Sequence, residues 1–428
     1  MAIRLLLSLA TAFFCLFASH AAPREIDEAR AKAHGIRKLT GRTLTLFTDL
    51  PADPEVERLP EWFDQALPQW THYFGAPAET GATRRVTGHL MKDKARFLAS
   101  GLLPEALPEF ANGYSTAHEI WWYDQSSAYY RRHLMFHEGT HAYMFTRFGT
   151  CGPPWYMEGM AELLGTHALG ADGPRLGVFP SHADDVRSWG RIGLVRRAVA
   201  DGRVLPLSEV MAYGPRAHLE SEPYGWCWAA AAFLDGHPRY RERFRKLPAE
   251  LSHDDFNGRV RTVFADDWRE LDEEWRVFVG AIEYGYDLER NAVEFVAGEA
   301  LPRSGSDVVI RSDRGWQSSR IRLQAGSTYE LAAKGRYQLA AGPPIWWCES
   351  NGVTIRYWNG RPLGQLLATV RCDDPSAPGG LAQATVVGLE AELTPERSGT
   401  LYLRVNDSPA ELADNEGTLT VSVKKRLP

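Results

Sequence analysis

The stretch HLMFHEGTHAYMF, from His133 to Phe145, sets three histidines and a glutamate within nine positions: His133, His137 and His141, with Glu138 beside the middle ring. These residue types can hold a metal ion and move a proton. On a helix, residues i and i+4 lie one above the other, so His137 and His141 leave one face about 6 Å apart. Their ring nitrogens can then meet one ion at the ~2.0–2.1 Å that zinc prefers, with Glu138 in reach of a water beside it. The spacing is HExxH, in which two imidazoles hold zinc and the glutamate works as a base. His133 is excluded as a further ligand, because it sits about 12 Å from His141 along a helix rising 1.5 Å per residue. It is assigned to packing or to support behind the ligands.

A catalytic zinc keeps three protein ligands and one open position. The third is expected from Glu158 in WYMEGMAE, beyond the break at Gly152-Pro153-Pro154, which lets a second helix fold back on the first. Glu162 follows at i+4 on the same face, placed to accept the outer N–H of a ligating histidine. Arg131, Arg132 and His167 are further polar candidates to which the sequence attaches no role.

HEGTH followed by WYMEGMAE resembles the gluzincin metallopeptidases, where a glutamate in an EGxAE-like segment on a later helix completes HExxH. Residues 38–285 are similar to exported bacterial proteins with a peptidase-MA-like domain. The resemblance implies a thermolysin-like mixed α+β domain. It also implies an edge strand, here within NGYSTAHEIWWY, along which an extended peptide pairs. An oxyanion donor on a later helix is implied too, and Tyr224 in SEPYGWCW is the residue assigned to it. The GAMEN-type aminopeptidase signature is missing, which points to an endopeptidase. Zinc-activated water with Glu138 as general base is the expected chemistry. The competing reading is a surface carbohydrate-binding or scaffold protein whose zinc is only structural.

The elements that must position these residues are legible in outline. Thr43–Thr48 and Arg85–Met91 read as strands, Pro60–Phe74 as a helix, and Asn112–Tyr123 as a further strand entered through an Asn-Gly turn. The helix carrying HExxH runs from about Ser127 to Phe148, and the next begins with proline in its first turn, where the missing N–H does no harm. From there to about residue 285 the pattern is mostly helical, clearest in the stripe Trp268, Leu271, Trp275, Phe278 and Val279.

Beyond a linker at 298–307 the chain turns to short strands, at Ser327–Ala332, Val353–Trp358, Leu366–Arg371, Gly399–Val405 and Thr418–Val423, which predicts a β-sandwich over 308–428. Asp407, Asp414 and Asn415 cluster in the loop between the last two strands, a set of hard oxygens suited to calcium. This segment resembles the calcium-containing galactophilic lectins of the PA-IL type. That resemblance gives Asp407, Asp414 and Asn415 as side-chain ligands, with Glu411 and Tyr337 ligating through backbone oxygen. Trp346 and Trp347 read either as sugar-stacking rings or as core.

The fold class expected is therefore multidomain α+β: a leader at 1–22, a peptidase domain at 23–297, the linker, and the sandwich. Arg4, the apolar run Leu5–Phe17 and Ser19-His20-Ala21 read as a secretory signal, with a membrane anchor as the alternative that the short apolar run disfavours, so the protein is expected outside the cytoplasm, secreted, periplasmic or at the cell surface. No later run is long enough to span a membrane. A net charge of −6 and the lack of a basic run exclude a nucleic-acid surface and leave a peptide or protein substrate, glycosylated or not. Outside the leader stand Cys151, Cys227, Cys348 and Cys372. Three pairings are open to them, with Cys151–Cys227 and Cys348–Cys372 favoured by their division between the two domains.

Overall fold

The computed structural model describes residues 24–75, 85–217, 220–374 and 380–426, so the leader read at 1–22 lies outside the described residues. The described chain forms two compact units. One takes the residues up to Leu194 with Val210–Ala232 and Arg243–Val263; the other takes Val195–Glu209, Phe233–Glu242 and the chain from Phe264 onward.

The first unit is mixed α/β. Its sheet has five strands, β1 (Arg37–Thr40), β2 (Leu44–Thr48), β3 (Val86–Met91), β4 (Gly113–Ser115) and β5 (Glu119–Tyr123), in the order β1-β2-β3-β5-β4. β2, β3 and β5 are parallel and mostly buried, as strands covered on both faces must be. β4 returns antiparallel to β5 at one edge. The stretch Asn112–Tyr123, expected as one strand, is thus a hairpin, bent where Thr116 N and O γ1 turn back on the Glu119 carbonyl.

Against this sheet lie α1 (Leu59–Tyr73) and α2 (Ala128–Phe148). Ser127 caps α2 by accepting from Tyr130 N–H, and Gly149, at φ 73°, ends it in the left-handed conformation that glycine adopts without strain. α3 (Pro154–Gly165) starts with proline at its first position and is buried on almost every side. The expected helical run then breaks into a hairpin, β6 (His167–Gly170) and β7 (Gly173–Leu176), which docks on α1 through Gln69. Two later helices matter here: α4 (Arg191–Ala200) and α5 (Ser221–Gly236).

In the second unit, α6 (Trp268–Gly280) buries Leu271, Trp275, Phe278 and Val279 of the stripe read from the sequence, while Trp268 at its start is half-buried. The rest is β-rich. One open sheet has the order β14-β15-β18-β10-β8 with β16 beside β15, and a second runs β17-β11-β19-β9. Their ranges are β8 (Glu299–Ala300), β9 (Ser306–Arg311), β10 (Gln317–Leu323), β11 (Tyr329–Lys334), β14 (Asn351–Trp358), β15 (Arg361–Cys372), β16 (Thr385–Val386), β17 (Glu390–Leu393), β18 (Gly399–Val405) and β19 (Thr418–Lys425). A small hairpin of β12 (Tyr337–Ala340) and β13 (Trp346–Cys348) completes the set. Leu331, Val421 and Val423 of one sheet meet Leu366, Leu401 and Leu403 of the other in a shared core, which makes this a sandwich. The stretch read as a linker carries β8, paired in parallel with β10.

The favoured disulfides do not form: Cys151, Cys227, Cys348 and Cys372 are not joined to one another. Cys348 is buried in the sandwich core with its Sγ 2.9 Å from the Glu349 carbonyl, and Cys372 ends β15 half-exposed. Cys151 is turned towards the His141 carbonyl at 3.7 Å. Even numbers and domain membership do not supply the close Cα approach that a disulfide requires.

Candidate metal centre

α2 and α3 bring two imidazoles and a carboxylate together. His137 Nε2 and His141 Nε2 stand 3.2 Å apart, Glu158 Oε2 is 3.3 Å from the first, and 3.6 Å separates it from the second. All three residues are buried. Glu158 Oε2 makes no hydrogen bond, nor do the outer Nδ1 atoms of both histidines. Among the described residues, His137–His141–Glu158 is one of two groups that could hold a metal ion; the other is His133–His137–Glu162.

The electrostatics favour a cation. Burial alone would lower the His137 ring, but the Glu158, Glu138 and Glu162 carboxylates outweigh it and raise it to about 9. Burial would raise Glu158; His137 and His141 instead hold it at about 2. Burial pushes Glu138 upward, against the neighbouring imidazoles and a hydrogen bond with Ser115. Three acids around two rings leave the place short of positive charge.

Two glycines set the spacing of this site. Gly139, inside HEGTH, carries α2 onto Trp70 and Phe63 of α1, where a Cβ would stand 2.7 Å from the Trp70 ring. Gly159, after Glu158, lets α3 lie against α5, where a Cβ would be 2.8 Å from the Cys227 carbonyl oxygen.

Glu162 lies behind His137, its Oε1 3.5 Å from Nδ1, too long for a made hydrogen bond. Arg191 donates to both its oxygens, at 2.7 and 3.0 Å, and the Trp189 indole N–H donates at 3.1 Å. Burial opposes the charge on Glu162, yet Arg191 and His133 hold it well below the usual carboxylate range. His133 is fully buried, 3.3 Å from the other Glu162 oxygen. Neither Trp189 nor Arg191 was legible in the sequence, because SWGRIG has no spacing relation to HExxH.

Tyr224, on α5, faces the site, with its ring centroid 6.2 Å from that of His137 and the Arg191 guanidinium 5.4 Å from its own. Burial, then the Glu158 and Glu138 charges, push its hydroxyl far above the ordinary range, so it stays protonated and able to donate. Edge strand β4 closes another side: a Cβ at Gly113 would overlap Glu138 Oε1. The remaining candidates lie elsewhere. Arg131 pairs with Asp124 at 2.7 Å, while Arg132 pairs with Glu55 and donates to His167 Nε2 at 3.2 Å.

In the C-terminal loop, Asn415 Nδ2 donates to Asp407 Oδ2 at 2.8 Å, and Asn415 Oδ1 is buried without a partner. Burial raises the Asp407 carboxyl to about 6, with Glu411 and Asp414 adding to it. The Glu411 carboxylate is turned to Arg356, 2.7 Å from both oxygens, and the Asp414 carbonyl accepts from Gln338 at 3.1 Å. Tyr337 is buried, its hydroxyl donating to the Gly364 carbonyl. Trp346 packs against the sandwich core, whereas Trp347 is 53% exposed.

No protein-family model matches the chain, and no curated protein does. Among solved structures, the N-terminal domain of EclA, described as a PllA-like lectin, is similar over 28% of this chain and 95% of its own, at 18% identity and a TM-score of 0.22. A likeness that low carries no argument about function. Among the described residues, no helix is long and apolar enough to cross a membrane.

Proposed function

We propose that the chain is an exported zinc-dependent endopeptidase, with His137, His141 and Glu158 as the zinc ligands. The carrying observation is the triangle of their ligand atoms. A tetrahedral site with bonds of ~2.0–2.1 Å has edges of about 3.3 Å, against the 3.2, 3.3 and 3.6 Å found. The unpartnered Glu158 oxygen supports the same reading, since a buried carboxylate oxygen without a donor is costly until a cation meets it.

Bound zinc would act as a Lewis acid that polarises a peptide carbonyl and acidifies water. Glu138 takes the proton from the attacking water and returns it to the leaving amine; its burial beside β4 keeps bulk water from competing for that proton. Tyr224 donates to the oxyanion as it forms. Glu162, held by Arg191 and Trp189, orients the His137 ring. β4, the last strand of its sheet among the described residues, offers backbone groups to an extended peptide. In the C-terminal loop, Asp407, Asp414 and Asn415, with backbone oxygens of Glu411 and Tyr337, form the calcium set, and the sandwich docks the enzyme on its substrate, glycosylated or not.

The test is metal analysis of the full chain together with cleavage of a mixed peptide library by wild type and Glu138→Gln. One equivalent of zinc, with cleavage lost in the variant while its zinc remains, is the expected result. Zinc without cleavage by either protein would instead favour a non-catalytic binding or scaffold protein.

A further inference from the structure

The outer face of β18 holds a cation that the peptidase chemistry does not use. Leu403 and Val405 point into the sandwich core, so Arg404 and Asn406 point the other way, towards α6. Arg404 is 6% exposed, and no carboxylate among the described residues lies in ion-pair range of it. Its guanidinium stands over two indoles, 5.7 Å from the Trp316 ring and 5.5 Å from that of Trp358. Two carbonyls take some of its five N–H groups: Val405 O at 3.2 Å and Asp407 O at 3.1 Å.

A cavity of about 140 Å³ opens against this guanidinium, with Arg361, Leu367, Asn406 and both indoles in its wall and no acidic residue among its lining groups. Arg276 also reaches it and brings positive charge, its Nε held at 2.8 Å by Asp272 outside the cavity. Asn406 is oriented by donating to the Trp358, Arg361 and Pro362 carbonyls, which leaves its buried Oδ1 as an acceptor without a donor. Asp407, the acid whose charge attracts Arg404, gives it a backbone carbonyl and turns its carboxylate to Asn415. A buried cation without an ion-pair partner is costly, and so is a buried acceptor without a donor. One ligand could satisfy both.

We propose that this cavity binds a small carboxylate carried on a single hydroxyl-bearing ring. The carboxylate meets Arg404 and Arg361, whose forked donors suit it, while the ring lies against the indoles and a hydroxyl donates to Asn406 Oδ1. The space matches one ring, since a dry cavity of about 150 Å³ takes benzene. Hydroxylated aromatic acids and pyranose uronic acids share this chemistry. The proposal is independent of the metal centre.

The experiment is calorimetric titration of the full chain with 4-hydroxybenzoate and with D-glucuronate. Methyl 4-hydroxybenzoate, D-glucose and inorganic phosphate serve as controls. At least one acid should bind with a dissociation constant below about 1 mM, and its uncharged counterpart at least about tenfold more weakly. Which acid binds tells the two sources apart. Arg361→Gln and Trp358→Ala lie at less buried positions than Arg404→Gln and should each weaken binding by about tenfold or more. Failure of both acids to bind at about 10 mM would overturn the proposal. So would uncharged controls binding as tightly as the acids, phosphate binding at least as tightly as either acid, or unchanged affinity in both variants.

Discussion

Arg191 grips Glu162 by both carboxylate oxygens, and Glu162 in turn stands behind His137. All three side chains are buried, so the charge on Glu162 has no solvent to fall back on. Arg191→Met should therefore destabilise the fold by roughly 3–5 kcal/mol, the cost of leaving one partner of a buried pair alone. With His137 less firmly oriented, zinc affinity should drop about 10- to 100-fold. Chemical denaturation and competitive metal titration read the two effects separately, and unchanged affinity in a folded variant would remove Arg191 from the site's support.

Gly113 lies where any side chain would displace the Glu138 carboxylate. Gly113→Ala should leave metal content unchanged and lower peptide cleavage by about a hundredfold, the scale of an ångström's misplacement of a catalytic group. Zinc content and kcat, measured on the same preparation, check this.

Gly159 is packed against a backbone carbonyl, that of Cys227, which cannot swing aside as a side chain end would. Gly159→Ala should push α3 from α5, cost about 1–3 kcal/mol, and draw Glu158 away from the two imidazoles. A thermal melt with and without added zinc tests it: the melting temperature falls, and the rise on adding zinc shrinks.

His167 gives the acid side of the stability profile. Its Nδ1–H donates to the Gly165 carbonyl at 2.9 Å and its Nε2 accepts from Arg132, a pattern that needs the neutral ring. Burial, then Arg132 and His133, lower it to about 3 against the Gly165 carbonyl. In the unfolded chain the ring titrates near ~6.5, so between these values the unfolded state binds more protons. The contribution is whole above pH ~6.5 and is lost as pH falls towards 3, at up to about 1.4 kcal/mol per pH unit. Unfolding free energies at pH 7 and pH 5 should differ less in His167→Gln than in wild type.

Local chemistry explains why much of this was readable from one chain. Helix periodicity puts His137 and His141 on one face whatever surrounds them, a Ser cap and a Gly stop bound that helix, and Pro154 opens the next. The alternating strands Gly399–Val405 and Thr418–Lys425 likewise carry their own period. Less was readable where pairing partners are distant. The hairpin at His167–Leu176 and strands Ser306–Arg311 and Gln317–Leu323 gain their hydrogen bonds from remote segments, and their residues alternate only weakly.

The sequence by itself determined the ligand types, their spacing and the helices that bear them, because those depend on neighbours within a turn or two. Only the tertiary structure decided that Glu158 meets the two imidazoles, that Arg191 and Trp189 hold Glu162, that the four cysteines form no disulfide, and that Arg404 is buried beside a cavity. Each of these is a meeting of segments far apart in the chain. What sets them is the packing of whole helices and sheets, to which no local pattern corresponds.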